Sequence, residues 1–167
     1  MRRMYSENQL LKAIEKESQE NGLKVFENIV DKDGHARFQE FDLSTKTITG
    51  MSFTYHKIGL SGSHLLIVLA GKIDNGSALS SENIAYWYLP KWISDKIVPV
   101  APNNTYIESK TITAYSDNFA TTQTFRADLR IDKSNENTPI LQIDRGSFTA
   151  SADRYYRIAF DLLIDNE

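Results

Sequence analysis

Apolar and polar side chains alternate with a period of two over most of the chain from Leu23 onward. The clearest run is Phe125, Ala127, Leu129 and Ile131, interleaved with Arg126, Asp128, Arg130 and Asp132. An extended chain puts successive side chains on opposite faces, so this run has a dry side and a charged side. Tyr156, Ile158, Phe160, Leu162 and Ile164 repeat the pattern with Arg157, Asp161 and Asp165 opposite, and Leu141 and Ile143 alternate with Gln142 and Asp144. Strand-like runs also cover 23–30, 36–43, 47–58, 64–73, 84–89 and 106–115. About nine strands joined by polar turns predict a mainly β chain, an antiparallel β-sandwich or jelly roll. The alternating carboxylates Asp128, Asp132, Asp161 and Asp165 are expected on a solvated or inter-subunit face.

One segment has helical rhythm. Ser6 suits an N-cap with Gln9 three residues on, Leu10, Ala13 and Ile14 follow at helical spacing, and Asn21-Gly22 supplies a stop. So thin an apolar stripe does not hold a helix in water alone, so this one is expected to dock on its own domain or on a neighbour. The predicted organisation is a short N-terminal helical arm over 1–22 and one β-sandwich domain over 23–167. Turn chemistry agrees: Asp31-Lys32-Asp33-Gly34 signals a hairpin, Asp74-Asn75-Gly76-Ser77 and 133–137 read as loops, and Pro99 and Pro102 mark a long irregular connection.

The segment from Ile84 to Ile93 is bulky on both faces, with Ala85, Trp87 and Leu89 on one and Ile84, Tyr86 and Tyr88 on the other. Such a strand is central between packed layers, covered by another subunit through Tyr86, Trp87 and Tyr88, or part of a sugar-stacking platform. Trp92, beyond Pro90, is the better candidate for exposure. Tyr106, Tyr115 and Phe119 are loop-adjacent aromatics with polar neighbours Asn104, Asp117 and Asn118. A saccharide site needs that mixture, a flat apolar face for the ring and polar groups for its hydroxyls. Trp92, Tyr106, Tyr115, Asp117 and Asn118 are therefore the candidate ligand-binding residues.

Composition narrows the function classes. The 167 residues are 41% hydrophobic and 25% charged, as in an ordinary globular domain, and the net charge of -3 offers no basic field for nucleic acid. Without cysteine there is no disulfide, thiolate metal site or cysteine nucleophile. No apolar run approaches the roughly 18 residues of a spanning helix, and the N-terminus turns polar at Ser6, so neither membrane insertion nor a signal peptide is expected. Folding in a cytoplasm is the expectation.

Motifs for chemistry fall short. Gly59-Leu60-Ser61-Gly62-Ser63 lacks the last glycine of a nucleophile elbow and sits in a strand–loop–strand pattern, and Ser116-Asp117-Asn118 lacks its partner motifs. From Ile29 to Glu40 a calcium loop is half matched by Asp31, Asp33, Gly34 and Glu40, yet its first position is Ile29. His35, His56 and His64 share no metal-ligand spacing. Asn75 and Asn103 form sequons that matter only in a secreted eukaryotic protein. No catalytic residue, cofactor or metal is expected.

A strand over Leu65–Ile73, a polar loop, the Leu89-Pro90-Lys91-Trp92 element and a closing strand over Tyr155–Ile164 resemble minor tail and baseplate proteins of bacteriophages of Gram-positive bacteria. The similarity covers roughly 45–165, with short and permissive motifs, and the opening Met4-Tyr5-Ser6-Glu7-Asn8-Gln9 is similar in style to their helical starts. It departs from a full fibre in lacking a long shaft. The resemblance implies a virion tail location, a homotrimer with a jelly-roll-like head, contacts with other tail or baseplate proteins, and cell-wall saccharide bound at subunit clefts. The competing readings are a stand-alone lectin-like carbohydrate-binding module and a small β-sandwich hydrolase.

Overall fold

The computed structural model describes residues 33–41, 48–101 and 105–164. The expected N-terminal helix, the strand over 23–30, Asn103, Asn104 and Asp165 lie outside the described residues. The elements are strands β1 (Phe38–Phe41), β2 (Met51–Ser61), β3 (His64–Ile73), β4 (Ala78–Leu79), β5 (Glu82–Tyr88), β6 (Tyr106–Tyr115), β7 (Thr122–Asp132), β8 (Ile140–Arg145), β9 (Phe148–Thr149) and β10 (Arg154–Leu163), with one short helix, α1 (Lys91–Ser94). The protein is mainly β, as its alternation dictates.

Eight strands form one antiparallel sheet in the order β1-β2-β3-β10-β6-β7-β8-β5, and β4 and β9 make a separate ribbon. The β2–β3 hairpin turns through Gly62-Ser63, since Ser61 pairs with His64. Gly62 takes φ 62° there, the positive value a two-residue hairpin turn needs at its first central position. The sheet is rolled on itself, so its two expected layers are halves of one surface. His35, just before β1, stacks flat on Trp92 of α1, just after β5, with ring centroids 4.0 Å apart, so the two edges of the sheet meet. At another point of closure Arg145, at the end of β8, donates to the carbonyls of Thr49 (2.8 Å) and Ser80 (2.9 Å) and to the Glu82 carboxylate (2.9 Å).

The inner faces of this nearly closed barrel share a core. Ile58, Leu65, Ile67 and Leu69 from one half and Trp87, Leu129, Leu141 and Ile143 from the other are fully buried. Each such side chain contributes about 1.5–3 kcal/mol over its exposed state. The β4–β9 ribbon adds Phe148, stacked on Phe125 at 5.1 Å, and Phe125 in turn meets Tyr156 edge-on at 5.8 Å.

Two strand-face assignments need correction. Ile84 was expected beside Tyr86 and Tyr88, but the β5–β8 register shifts between Asn83 and Ala85, and this bulge turns both Ile84 and Ala85 into the core. Asp128 was expected on a solvated or inter-subunit face and is only 4% exposed within the chain itself. It lies on the charged side of β7, covered by Arg126 at 3.1 Å and by the Ser109 hydroxyl, which donates to it at 2.5 Å.

Candidate functional site: an aromatic ledge at the open seam of the sheet

Neighbouring strands pair along most of their length, except at one place. β10 follows β3 over ten residue pairs from Arg154↔Ile73 to Leu163↔His64, but it meets β6 through the single pair Tyr155↔Tyr115. Farther along the seam a side chain stands in for the ladder: Lys110 Nζ donates to the Ala159 carbonyl at 2.9 Å and lies 5.2 Å from the Phe160 ring centroid. The splayed strands leave a groove of about 680 Å³, lined by Thr111, Thr113, Tyr115, Phe119, Tyr155 and Arg157, with Ser116 and Asp117 at its loop end.

The β6–β7 loop builds one wall. Ser116 N donates to the Thr121 carbonyl at 3.0 Å, and Thr121 N donates back to the Ser116 hydroxyl at 3.1 Å. Asn118 Oδ1 accepts from the Ser116 hydroxyl (2.8 Å) and from Ala120 N (3.1 Å). So tied, the loop holds Phe119 at φ 59°, a left-handed backbone that side chains rarely adopt, with 73% of the residue exposed. Its ring lies 5.1 Å from that of Tyr115, which is 37% exposed, and Tyr155 across the seam is 46% exposed. Three partly bare rings thus form a ledge.

The floor beneath is buried and hydrogen-bonded. Tyr156 points inward, and its hydroxyl donates to the Ser52 carbonyl at 3.0 Å. Burial pushes its phenol well above the usual range, so it stays protonated and keeps that bond. Beside Tyr155, Lys72 Nζ pairs with Asp153 at 2.7 Å and lies 6.0 Å from the Tyr155 ring centroid. Hydrogen bonding between the two raises the Lys72 ammonium and lowers the Asp153 carboxyl from their ordinary values. Flat rings with hydroxyls, the Asp117 carboxylate in the loop and charges at the margins suit a ligand that stacks and hydrogen-bonds at once.

The residues singled out in the sequence are dispersed by the fold. Tyr115 and Asp117 line the ledge. Asn118 spends its side-chain oxygen on shaping the loop. Trp92 is packed against the core, with one ring face on His35 and Lys96 Nζ 5.4 Å from its centroid. Tyr106 occupies the opposite end of β6 from Tyr115, about 30 Å away by the rise of a strand. There Arg130 lies over its ring at 4.8 Å, beside a second groove of about 330 Å³ among Arg126, Asp128, Asp144 and Glu82. The charges of that groove are matched, with Arg130 on Asp144 at 2.6 Å and Arg145 on Glu82 at 2.9 Å. Of the three aromatics of β5, Trp87 is fully buried in the chain's own core, whereas Tyr88 is 50% exposed with Tyr86 edge-on at 5.7 Å. Among the described residues no three His, Asp or Glu side chains gather to hold a metal ion, and no helix is long and apolar enough to cross a membrane.

Tyr155 and Arg157 are the ledge residues the sequence did not single out. Their signal was present in the period of β10, which sets Tyr155 and Arg157 on the face opposite Tyr156. What local sequence lacks is the identity of the neighbouring strand, so nothing there announces an open seam.

No protein-family model matches the chain, and no curated protein matches it in sequence. Among solved structures, similar chains include the distal domain of the mouse adenovirus 2 fibre, at 10% identity over 81% of this chain and 83% of that one, with a TM-score of 0.44. Another is a reovirus attachment protein, sigma1, solved in complex with α-2,3-sialyllactose, at 7% identity over 76% of this chain and 62% of that one, with a TM-score of 0.32. At such scores and identities neither likeness assigns a ligand or an assembly to this chain.

Proposed function

We propose that this chain is a virion tail or baseplate component that assembles as a homotrimer and recognises a cell-surface saccharide on the ledge formed by Tyr115, Phe119 and Tyr155. The observation that carries the binding half is Phe119, held exposed in a left-handed backbone by a loop whose hydrogen bonds serve to fix it. An aromatic ring kept bare at the cost of backbone strain is worth keeping where it meets a ligand. The virion setting rests on the resemblance of Leu65–Ile73, Leu89-Pro90-Lys91-Trp92 and the closing strand to phage tail proteins. Trimerisation multiplies weak sugar contacts into useful avidity, and Tyr86 and Tyr88 are the surface proposed for it.

The test is binding of the purified chain to an immobilised panel of bacterial and animal glycans, beside Tyr115→Ala and Tyr155→Ala variants with unchanged circular dichroism. Binding that falls at least tenfold in both variants supports the reading. A folded protein that binds no glycan on the panel, or binding indifferent to both substitutions, rejects it. The lectin-like module shares this ledge and parts from the leading reading by binding as a monomer.

A further inference from the structure

The cations of the described chain are committed elsewhere, with one exception. Lys72, Arg126, Arg130 and Arg145 hold carboxylates, Lys110 and Lys133 reach backbone carbonyls, and Lys96 lies over an indole. Arg157 is exposed and lines the groove, and among the described residues it is the Lys or Arg that makes no ion pair, hydrogen bond or ring contact. The carboxylate of Asp117, in the same groove, is also without a hydrogen-bonded or ion-pair partner among the described residues. The antiparallel order sets the two apart. With Tyr155 opposite Tyr115, Arg157 falls on the Thr113 side of that pair and Asp117 on the loop side.

A guanidinium is charged at any physiological pH and presents a planar fork of donors that fits a carboxylate or a phosphate. Left unpaired beside bare aromatic rings, it attracts an anion on a molecule that stacks. Asp117 at the far end accepts hydroxyl protons and repels a second negative group, which orients the ligand. We infer that the ledge selects an acidic saccharide, its anionic group on Arg157, its ring faces on the tyrosines and its neutral hydroxyls toward Asp117. This rests on the saccharide reading above and names the class within it.

Three probes of equal length and linkage test it by calorimetry: a neutral glucose oligosaccharide, its glucuronate counterpart, and the glucose oligosaccharide phosphorylated at C6. At least one acidic probe is expected to bind about tenfold tighter than the neutral one, with the gain shrinking as salt rises. Arg157→Gln should abolish that gain, so that within the variant the acidic probe binds no tighter than the neutral one, with the melting temperature unchanged. The acidic probe that shows the Arg157-dependent gain distinguishes carboxylate from phosphate. Neutral and acidic probes bound equally, or a preference that survives Arg157→Gln, overturns the inference while leaving the saccharide ledge standing. Failure of all three probes with a folded protein overturns the inference, while the glycan panel decides the saccharide ledge itself.

Discussion

If the ledge binds saccharide as proposed, Phe119 trades backbone strain for an exposed ring. A left-handed backbone at a residue with a Cβ costs about 1–2 kcal/mol, which glycine does not incur. Phe119→Gly is therefore expected to melt at the same temperature as the parent or a few degrees higher, while saccharide binding is lost. Phe119→Ala keeps the strain and also loses the ring. A scanning-calorimetry trace in which the glycine variant is much less stable would show that the ring is structural. Under the ledge the packing is tight. A Cβ at Gly71 would collide with the Ser52 carbonyl oxygen and lie 2.8 Å from the Tyr156 hydroxyl, so Gly71→Ala is expected to cost about 3 kcal/mol in urea unfolding. Tyr156→Phe, which leaves the Ser52 carbonyl without its donor, is expected to cost about 1–3 kcal/mol. Tyr115 and Asp117 were legible in the sequence because an aromatic beside a polar loop is a local signal. Tyr155 and Arg157 were not, because their meaning comes from a strand distant in the chain. That Trp92 stacks on His35 was equally invisible, since it depends on how the sheet edges meet.

Among elements, the ends of strands decide how the sheet closes. Arg145 is 1% exposed and ties β8 to the lead-in of β2 and to β5 through Thr49, Ser80 and Glu82. Burial lowers its guanidinium from the ordinary value, with Glu82 opposing. Removing one partner of a buried pair leaves the other charge unmet, so Arg145→Met is expected to lose about 3–5 kcal/mol in denaturant unfolding. A loss below about 1 kcal/mol would mean the ends hold without it. Lys72 and Asp153 join the β10 lead-in to β3 at the surface, and the sign of their pH effect follows from the depressed carboxyl. Such a group stabilises the fold above its unfolded value, about 3.9, and the contribution disappears as pH falls through the lower folded value. Exposure keeps it small. In Lys72→Met the Asp153 carboxyl, followed by NMR, should titrate higher than in the parent. The strand spans 64–73 and 106–115 were readable to the residue, because an apolar run in the first and a Thr-, Ile- and Tyr-rich stretch in the second ended at turn residues. The two-residue strands β4 and β9 and the four-residue α1 were not, being too short to show a period. Bulges hide similarly, since the one at Ile84 shifts the phase of the strand without any glycine to mark it.

At the scale of the whole molecule, the alternation from Leu23 onward was enough for an antiparallel, mainly β protein, and the structure adds that the layers belong to one rolled sheet. The assembly has its own expectation. Light scattering should give three times the chain mass, and joint Tyr86→Glu and Tyr88→Glu substitution should shift it toward one. A monomer at every concentration would favour the lectin-like module. Narrower than the assembly is the proposal that a saccharide lies in the opening between β6 and β10. It is tested most directly by aromatic-ring NMR during titration with a glycan that the chain binds. The Tyr115, Phe119 and Tyr155 rings are expected to move together and to saturate at one ligand per chain. Shifts gathered instead at Trp92 or Tyr106, with those three rings unmoved, would contradict it.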